Sequence, residues 1–218
     1  ESGPPAMGIQ IADVAGGSMH ALVAILAAVI ERQSSGQGQY IDISMTDCVA
    51  SLNSMAASAS LAGQTPQAPE QGMFNGASFY DYYETKDGRY FSVGSLEPQF
   101  MQGLAQALQL PVLLEKGSSL DAQDQKEVKA AIQEKIRSKT LNEWQTIFDA
   151  LDVCVEPVLH LDEALTSQLA QERGWVVHVP VKAGEQETEP QLACPIKFSR
   201  SSSRYDFMGQ ALGESEQW

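Results

Sequence analysis

From Ser18 to Gln33 the apolar positions Met19, Leu22, Val23, Leu26, Val29 and Ile30 recur at helical spacing. The stretch ahead of it, Met7-Gly-Ile-Gln-Ile-Ala12, reads as a short strand, followed by Asp13 and the pair Gly16-Gly17. Ser34-Ser-Gly-Gln-Gly38 breaks the helix, and Gln39-Tyr-Ile-Asp-Ile-Ser44 alternates as a strand does. Strand, glycine turn, helix, glycine turn and strand make one βαβ unit with a right-handed crossover. One such unit cannot cover both faces of a parallel sheet, so further strands are expected ahead of residue 1 or from another chain.

Met45 to Leu61 continues as a helix rich in Ala, Ser and Met, and Gly63-Gln-Thr-Pro-Gln-Ala-Pro69 is a linker by composition. A hairpin is expected over Phe79–Ser95, with Tyr80, Tyr82 and Tyr83 leading into Lys86-Asp87-Gly88 and Tyr90–Val93 returning. Glu97-Pro98 opens a helix to about Leu108, because proline is tolerated in a first turn. A charged amphipathic helix follows from about Asp121 to Arg137. Thr140-Leu-Asn-Glu143 is a capping-box pattern ahead of Trp144, Ile147, Phe148 and Leu151. Val153–Pro157 reads extended, Leu161–Arg173 helical and Trp175–Val181 as a strand. From Lys182 the chain is irregular and polar, with Cys194–Ser199 its one strand-like piece. The pattern is α/β. It divides into part of an α/β sheet domain (1–50), a linker helix and loop (51–75), a small α+β domain (76–155) and a return linker with the start of a C-terminal segment (156–218).

Twenty-eight acids against fourteen Lys and Arg give a formal charge of −14, which repels phosphodiester backbones and argues against a nucleic-acid partner. Cys48, Cys154 and Cys194 are odd in number and form no CxxC pair, as expected in a reducing compartment such as the cytoplasm. No basic n-region or secretory core opens the chain. The longest unbroken apolar run, Ala21–Ile30, is half of the ~20 residues that a bilayer requires, so it is expected as a core helix rather than a membrane segment. Glu1-Ser-Gly-Pro-Pro at one end and the acidic Gly213-Glu-Ser-Glu-Gln-Trp218 at the other read as cuts through a longer protein.

Asp13 is the first candidate for chemistry. It is expected at a strand end before a helix that starts near Gly17, where open α/β sheets place ligands. A carboxylate base there could deprotonate carbon next to a thioester while helix N–H groups hold the enolate. The alternative is a helix-capping aspartate. Glu97, at the opening of a helix, is the second candidate, and its alternative is a surface acid that satisfies the helix dipole. His20, His160 and His178 have no Cys, Asp or Glu at ligand spacing, so a metal site is not expected. GxSxG, Walker A and GxGxxG patterns are absent.

Several stretches together resemble one family. Ile11-Ala-Asp-Val-Ala-Gly-Gly-Ser-Met19, Ile30-Glu-Arg-Gln-Ser-Ser-Gly-Gln-Gly-Gln39 and Ile41-Asp-Ile-Ser-Met-Thr-Asp47 resemble the family III CoA-transferase (CaiB–BaiF) superfamily. Tyr82–Tyr90, Val93-Gly-Ser-Leu-Glu-Pro-Gln-Phe100 and Pro195-Ile-Lys-Phe-Ser199 look like its α-methylacyl-CoA racemase branch. The resemblance implies a Rossmann-like large domain, a small α+β domain, two long linkers and an interlocked homodimer. It implies exchange of the α-proton of a 2-methylacyl-CoA through an enolate, with no cofactor beyond the CoA of the substrate. Asp13 matches the family's catalytic aspartate, followed by Gly16 and Gly17. Glu97 matches the glutamate that orients a catalytic histidine on the other face. Met45, Met73, Tyr80 and Leu96 match positions at or near the acyl pocket, where adaptable Met side chains suit a flexible chain. The matching histidine belongs to a part of the family's sequence that this chain lacks, as do most contacts to the adenine and phosphates of CoA. Two alternatives stand beside the racemase: a family III CoA-transferase with Asp13 as nucleophile, and a non-catalytic dimerisation fragment.

Overall fold

A computed structural model describes residues 8–65 and 72–209. The expected residue Met7, the Pro66–Pro69 part of the linker and the acidic stretch at 213–218 lie outside the described residues.

The core is organised around a three-stranded antiparallel sheet. Strands β1 (Asp81–Glu84) and β2 (Tyr90–Val93) form the expected hairpin, with Tyr83 opposite Phe91 and Glu84 opposite Tyr90. Thr85 N–H closes the loop on Arg89 O at 2.7 Å around Lys86-Asp87-Gly88. The third strand, β3 (Val155–Pro157), adds to the far side of β2.

Helices α6 (Ala122–Ile136) and α7 (Leu141–Phe148) pack on this sheet, and α4 (Pro98–Leu108) and α5 (Pro111–Lys116) pack on each other and on α6 within the same core. Phe79, Phe91, Val93, Leu104, Leu113, Val128, Ile132 and Ile136 are all fully buried there. Each helix starts on a local signal. Proline stands in the first turn of α4 and α5, the Asp121 carboxylate accepts from Gln123 and Asp124 N–H, and Thr140 and Glu143 form a capping box. The short helix α5 was not expected from the sequence. Trp144 stacks on Phe148 and donates its indole N–H to Ile136 O at 2.8 Å.

Two amides of α6, Gln125 buried and Gln133 partly so, tie it to β1 and to the segment that leads into it. Gln125 Oε1 accepts Phe79 N–H at 2.9 Å, while its Nε2 lies 2.9 Å from Gly117 O and 2.8 Å from Ser119 O. Gln133 bridges both backbone groups of Glu84, at 3.1 and 2.8 Å.

Around this core the helical signals hold better than the strand signals. The expected strand at 7–12 is not formed over its described residues. Ile11–Ser18 is instead a π-helical segment that runs into α1 (Met19–Ser35). Residues 39–44 form no strand, with Tyr40 at 92% exposure. A strand exists only where a neighbour takes its backbone hydrogen bonds, and the described residues offer none to either segment. The expected βαβ unit is therefore absent as such.

The expected helix over 45–61 breaks at Asn53 into α2 (Met45–Leu52) and α3 (Ser54–Leu61). Likewise 161–173 breaks at Ser167 into α8 (Leu161–Thr166) and α9 (Gln168–Arg173). Strand β4 (Val176–Pro180) forms as expected, but its partner β5 (Thr188–Leu192) was not foreseen, and Cys194–Ser199 forms no strand.

The expectation of a core helix also needs correction. Val23, Leu26 and Ile30 of α1 are 64%, 55% and 66% exposed, and no residue of α1 is buried. By length and composition alone, Ile11–Ser35 is long and apolar enough to cross a membrane.

Candidate active site

Asp13 lies on the third residue of the π-helical segment, so the helix begins ahead of it rather than near Gly17. The N-cap position belongs to Gln10. The capping alternative for Asp13 therefore does not apply, and its exposed carboxylate holds no hydrogen bond among the described residues. Its backbone carbonyl accepts the Ser18 hydroxyl at 3.0 Å. His20 Nδ1 lies 3.0 Å from Ala15 O in the same i, i+5 relation. Such widened turns are rare and cluster at functional sites.

The glycine pair has a packing reason. A Cβ on Gly16 would meet Val49 Cγ2 at 3.1 Å, and one on Gly17 would meet Met45 Cγ at 3.2 Å. Both contacts are tighter than most side chains show, so the missing Cβ at both residues lets α2 lie this close to the turn without a shift of Val49 or Met45. Asp13, Gly16, Gly17 and Met45 are thus assembled into one group, with Met45 half exposed beside the glycines.

Met73, Tyr80, Leu96 and Glu97, the second group of candidates, lie on separate elements. A five-residue π-helical turn, Met73–Ala77, leads to β1, and the Ser78 hydroxyl donates to Met73 O at 2.6 Å. Phe74 meets the Tyr80 ring edge to face at 5.5 Å. A Cβ on Gly94 would stand 3.4 Å from that ring, so β2 runs on close beneath Tyr80. Leu96 packs on the hydrophobic core, and Glu97 follows it as the N-cap residue of α4. The Glu97 side chain makes no capping bond, so its location fits the helix dipole while its oxygens hold no hydrogen bond among the described residues.

What fixes Glu97 was not visible in the sequence. Ser95 is fully buried, and its hydroxyl donates to Val153 O. Gly94 N–H donates to Cys154 O at 2.9 Å, and Leu96 N–H folds back to Gly94 O at 2.8 Å. Cys154 holds its carbonyl in place from a left-handed backbone, φ 48°, an uncommon state for a residue with a Cβ. Desolvation against this loop, followed by the charges of Glu97, Asp152 and Glu156, pushes its thiol up. That a serine between Gly94 and Leu96 would be a buried anchor has no signal in local spacing.

Of the histidines, His160 opens α8 with its N–H on Glu163 at 2.8 Å, and His178 stands opposite Pro190 in the β4–β5 pair. Among the described residues no three His, Cys, Asp or Glu side chains converge as metal ligands.

The CoA-transferase family III model matches residues 1–214. The chain is 37% identical to mouse alpha-methylacyl-CoA racemase over 84% of this chain and 47% of its relative. It is 33% identical to the human alpha-methylacyl-CoA racemase over 94% and 53% of the two chains. To the human succinyl-CoA:glutarate CoA-transferase it is 26% identical, covering 94% and 48%. The chain thus spans about half the length of these relatives. Among solved structures, a CAIB/BAIF family protein from Brucella suis superposes with a TM-score of 0.74 at 20% identity, covering 98% of this chain and 55% of that one. The Rv3272 protein of Mycobacterium tuberculosis gives 0.68 at 20%, covering 90% and 52%. The mixed α/β architecture is accordingly that of the family III CoA-transferase fold, and the chain belongs to CoA-transferase family III.

Proposed function

We propose that this chain supplies one face of the active site of an α-methylacyl-CoA racemase. The observation that carries this reading is the pair of unengaged carboxylates, Asp13 beside a glycine turn and Glu97 on an anchored loop. A carboxylate with no structural hydrogen bond is free to take and return a proton. The identities support the racemase over the transferase, 37% and 33% against 26%.

In this reading the Asp13 carboxylate removes the α-proton from one face of a 2-methylacyl-CoA. The C–H bond breaks, its electron pair moves into the thioester as an enolate, and the proton rests on Asp13. Reprotonation on the other face gives the epimer. Glu97 acts there as a positioning residue for the second acid/base, which lies outside this chain. Met45, Met73, Tyr80 and Leu96 line the acyl side, and CoA enters only as part of the substrate.

The working enzyme in this reading is a cytoplasmic homodimer, and protein rather than lipid covers α1. Between Asp13 and Glu31 lie 17 residues, about 25 Å of helix at ~1.5 Å per residue. That run stands at the lower limit of the roughly 17–25 residues that span a bilayer, and His20 interrupts it.

The test is deuterium exchange into the α-position of a 2-methylacyl-CoA by the complete enzyme. Asp13→Asn is expected to slow exchange by at least ~100-fold, the lower end of general acid–base contributions. A hydroxylamine-sensitive acyl group on Asp13, with no α-exchange, would overturn the racemase in favour of a transferase.

A further inference from the structure

A cleft of about 590 Å³ lies well away in sequence from both groups of candidate residues. One wall is the end of α9, with Leu169 and Arg173, followed by Gly174 and Trp175. The other is the end of β5 and the chain beyond it, with Leu192, Cys194 and Lys197. The cleft is a direct product of the local fold. Gly174 takes a left-handed turn (φ 58°), so Trp175 N–H reaches back to Ala170 O at 2.9 Å. Trp175 O then accepts Ala193 N–H at 2.8 Å, which extends the β4–β5 pairing by one step and fixes the two walls. The Tyr205 hydroxyl accepts Cys194 N–H at 2.8 Å and holds the far wall in place.

The lining combines two chemistries, open apolar faces and cations. Leu169, Trp175 and Leu192 are 57%, 38% and 73% exposed, so large apolar faces stand open to water. Arg173 and Lys197 have no ion-pair partner among the described residues, although acids outnumber Lys and Arg two to one along the chain. A Cβ on Gly174 would stand 3.9 Å from Lys197 Nζ, which puts the ammonium over the mouth of the turn. An inorganic anion would gain the two cations but leave the apolar walls wet. A neutral lipid would cover the walls but leave the cations without a partner.

We propose that this cleft binds an amphipathic carboxylate of the medium-chain fatty acid class. Its carboxylate sits between Arg173 and Lys197, and its chain lies along Leu169, Trp175 and Leu192. The volume falls within the 300–1,000 Å³ typical of small-molecule sites. Cys194 supplies a reporter at the cleft wall. Hydrogen bonds from Ile196 N–H and the Ser203 hydroxyl, then the Lys197 charge, hold its thiol below the usual range, which favours the thiolate that alkylating agents attack.

The test titrates the 218-residue chain with decanoate below its micelle concentration, by calorimetry, with decanol and inorganic phosphate in parallel. Saturable one-to-one binding of decanoate is expected, at least tenfold tighter than decanol, with no heat from phosphate. Arg173→Gln with Lys197→Gln is expected to weaken decanoate at least tenfold and leave decanol unchanged. Decanoate is also expected to slow iodoacetamide labelling of Cys194 severalfold, read by peptide mass spectrometry, with labelling of exposed Cys154 unaffected. The ratio of rates with and without decanoate is the readout in each variant, because loss of Lys197 itself changes the thiol. Equal affinity for decanoate and decanol, phosphate binding as tight as decanoate, or decanoate binding that leaves Cys194 unprotected would each overturn the proposal.

Discussion

Replacing Gln125 by leucine tests how the small sheet is tied to α6. Gln125 is 4% exposed, and its amide satisfies Phe79 N–H on one side and the carbonyls of Gly117 and Ser119 on the other. Leucine has a similar volume and keeps the packing, but it leaves the Phe79 N–H and the Gly117 carbonyl, whose bonds to Gln125 are both buried, without partners. An orphaned buried group costs ~1–3 kcal/mol, so the two together cost about 2–6 kcal/mol. The better transfer of an apolar side chain offsets roughly 1–2 kcal/mol of this. The two ranges leave a net loss of about 0–5 kcal/mol, centred near 2.5 kcal/mol, a large share of a typical folding free energy of ~5–15 kcal/mol. Urea unfolding followed by circular dichroism would read it. Gln125→Glu sharpens the test: its ionised form keeps an acceptor for Phe79 but faces two carbonyls with no proton. Its carboxyl should titrate above the unfolded value, so the folded variant holds its proton at higher pH than the unfolded chain does. The penalty is then full at neutral pH and shrinks as pH falls through that raised value. A Gln125→Leu variant more stable than wild type, or a Gln125→Glu variant that gains nothing on acidification relative to wild type, would refute the reasoning.

Three further outcomes are expected. The Thr85 hydroxyl, then the Leu141 N–H and the Arg89 charge, hold the Asp87 carboxyl below its usual range. Its contribution is present at neutral pH and lost as pH falls through the lowered folded value, so Asp87→Asn should lower the neutral Tm and flatten the acid limb of a Tm–pH series. Gly16→Ala forces a Cβ to 3.1 Å from Val49 and should cost about 1–3 kcal/mol through overpacking, seen as faster amide exchange in α2. Leu26→Glu with Ile30→Glu changes half-exposed or more exposed positions. It should alter stability by no more than ~0.5 kcal/mol and reduce self-association measured by light scattering.

The parts of the fold legible in the sequence were those whose cause is local. The starts of α4, α6 and α7 are set by Pro98, Asp121 and the Thr140–Glu143 box, and the β1–β2 loop by Asp87-Gly88, all within a few residues of the element they define. The strands expected at 7–12 and 39–44 failed because alternation reports which face is apolar and says nothing of a hydrogen-bonding neighbour. β5 was missed for the opposite reason: it is exposed throughout and carries Pro190, so neither burial nor alternation marks it. The same division runs through the candidate site. Asp13, the glycine pair and Glu97 are found by motif. The buried Ser95 hydroxyl and the left-handed Cys154, which anchor the loop ahead of Glu97, depend on contacts 58 to 60 positions apart.

The bridging of Glu84 by Gln133 also bears on how these chains meet one another. An open strand edge is a template for further strands, yet at β1 that edge is occupied by a side-chain amide and flanked by the Lys129–Asp81 and Arg137–Glu84 ion pairs. The outer strand β3 is three residues long and ends in Pro157, and β5 has Pro190 at its middle. Both sheets are therefore guarded against edge-to-edge growth, while α1 presents leucine, isoleucine and valine to water along its length. Aggregation of this chain should accordingly be helical and hydrophobic in character, without amyloid-type dye binding, and should be relieved by whatever covers α1.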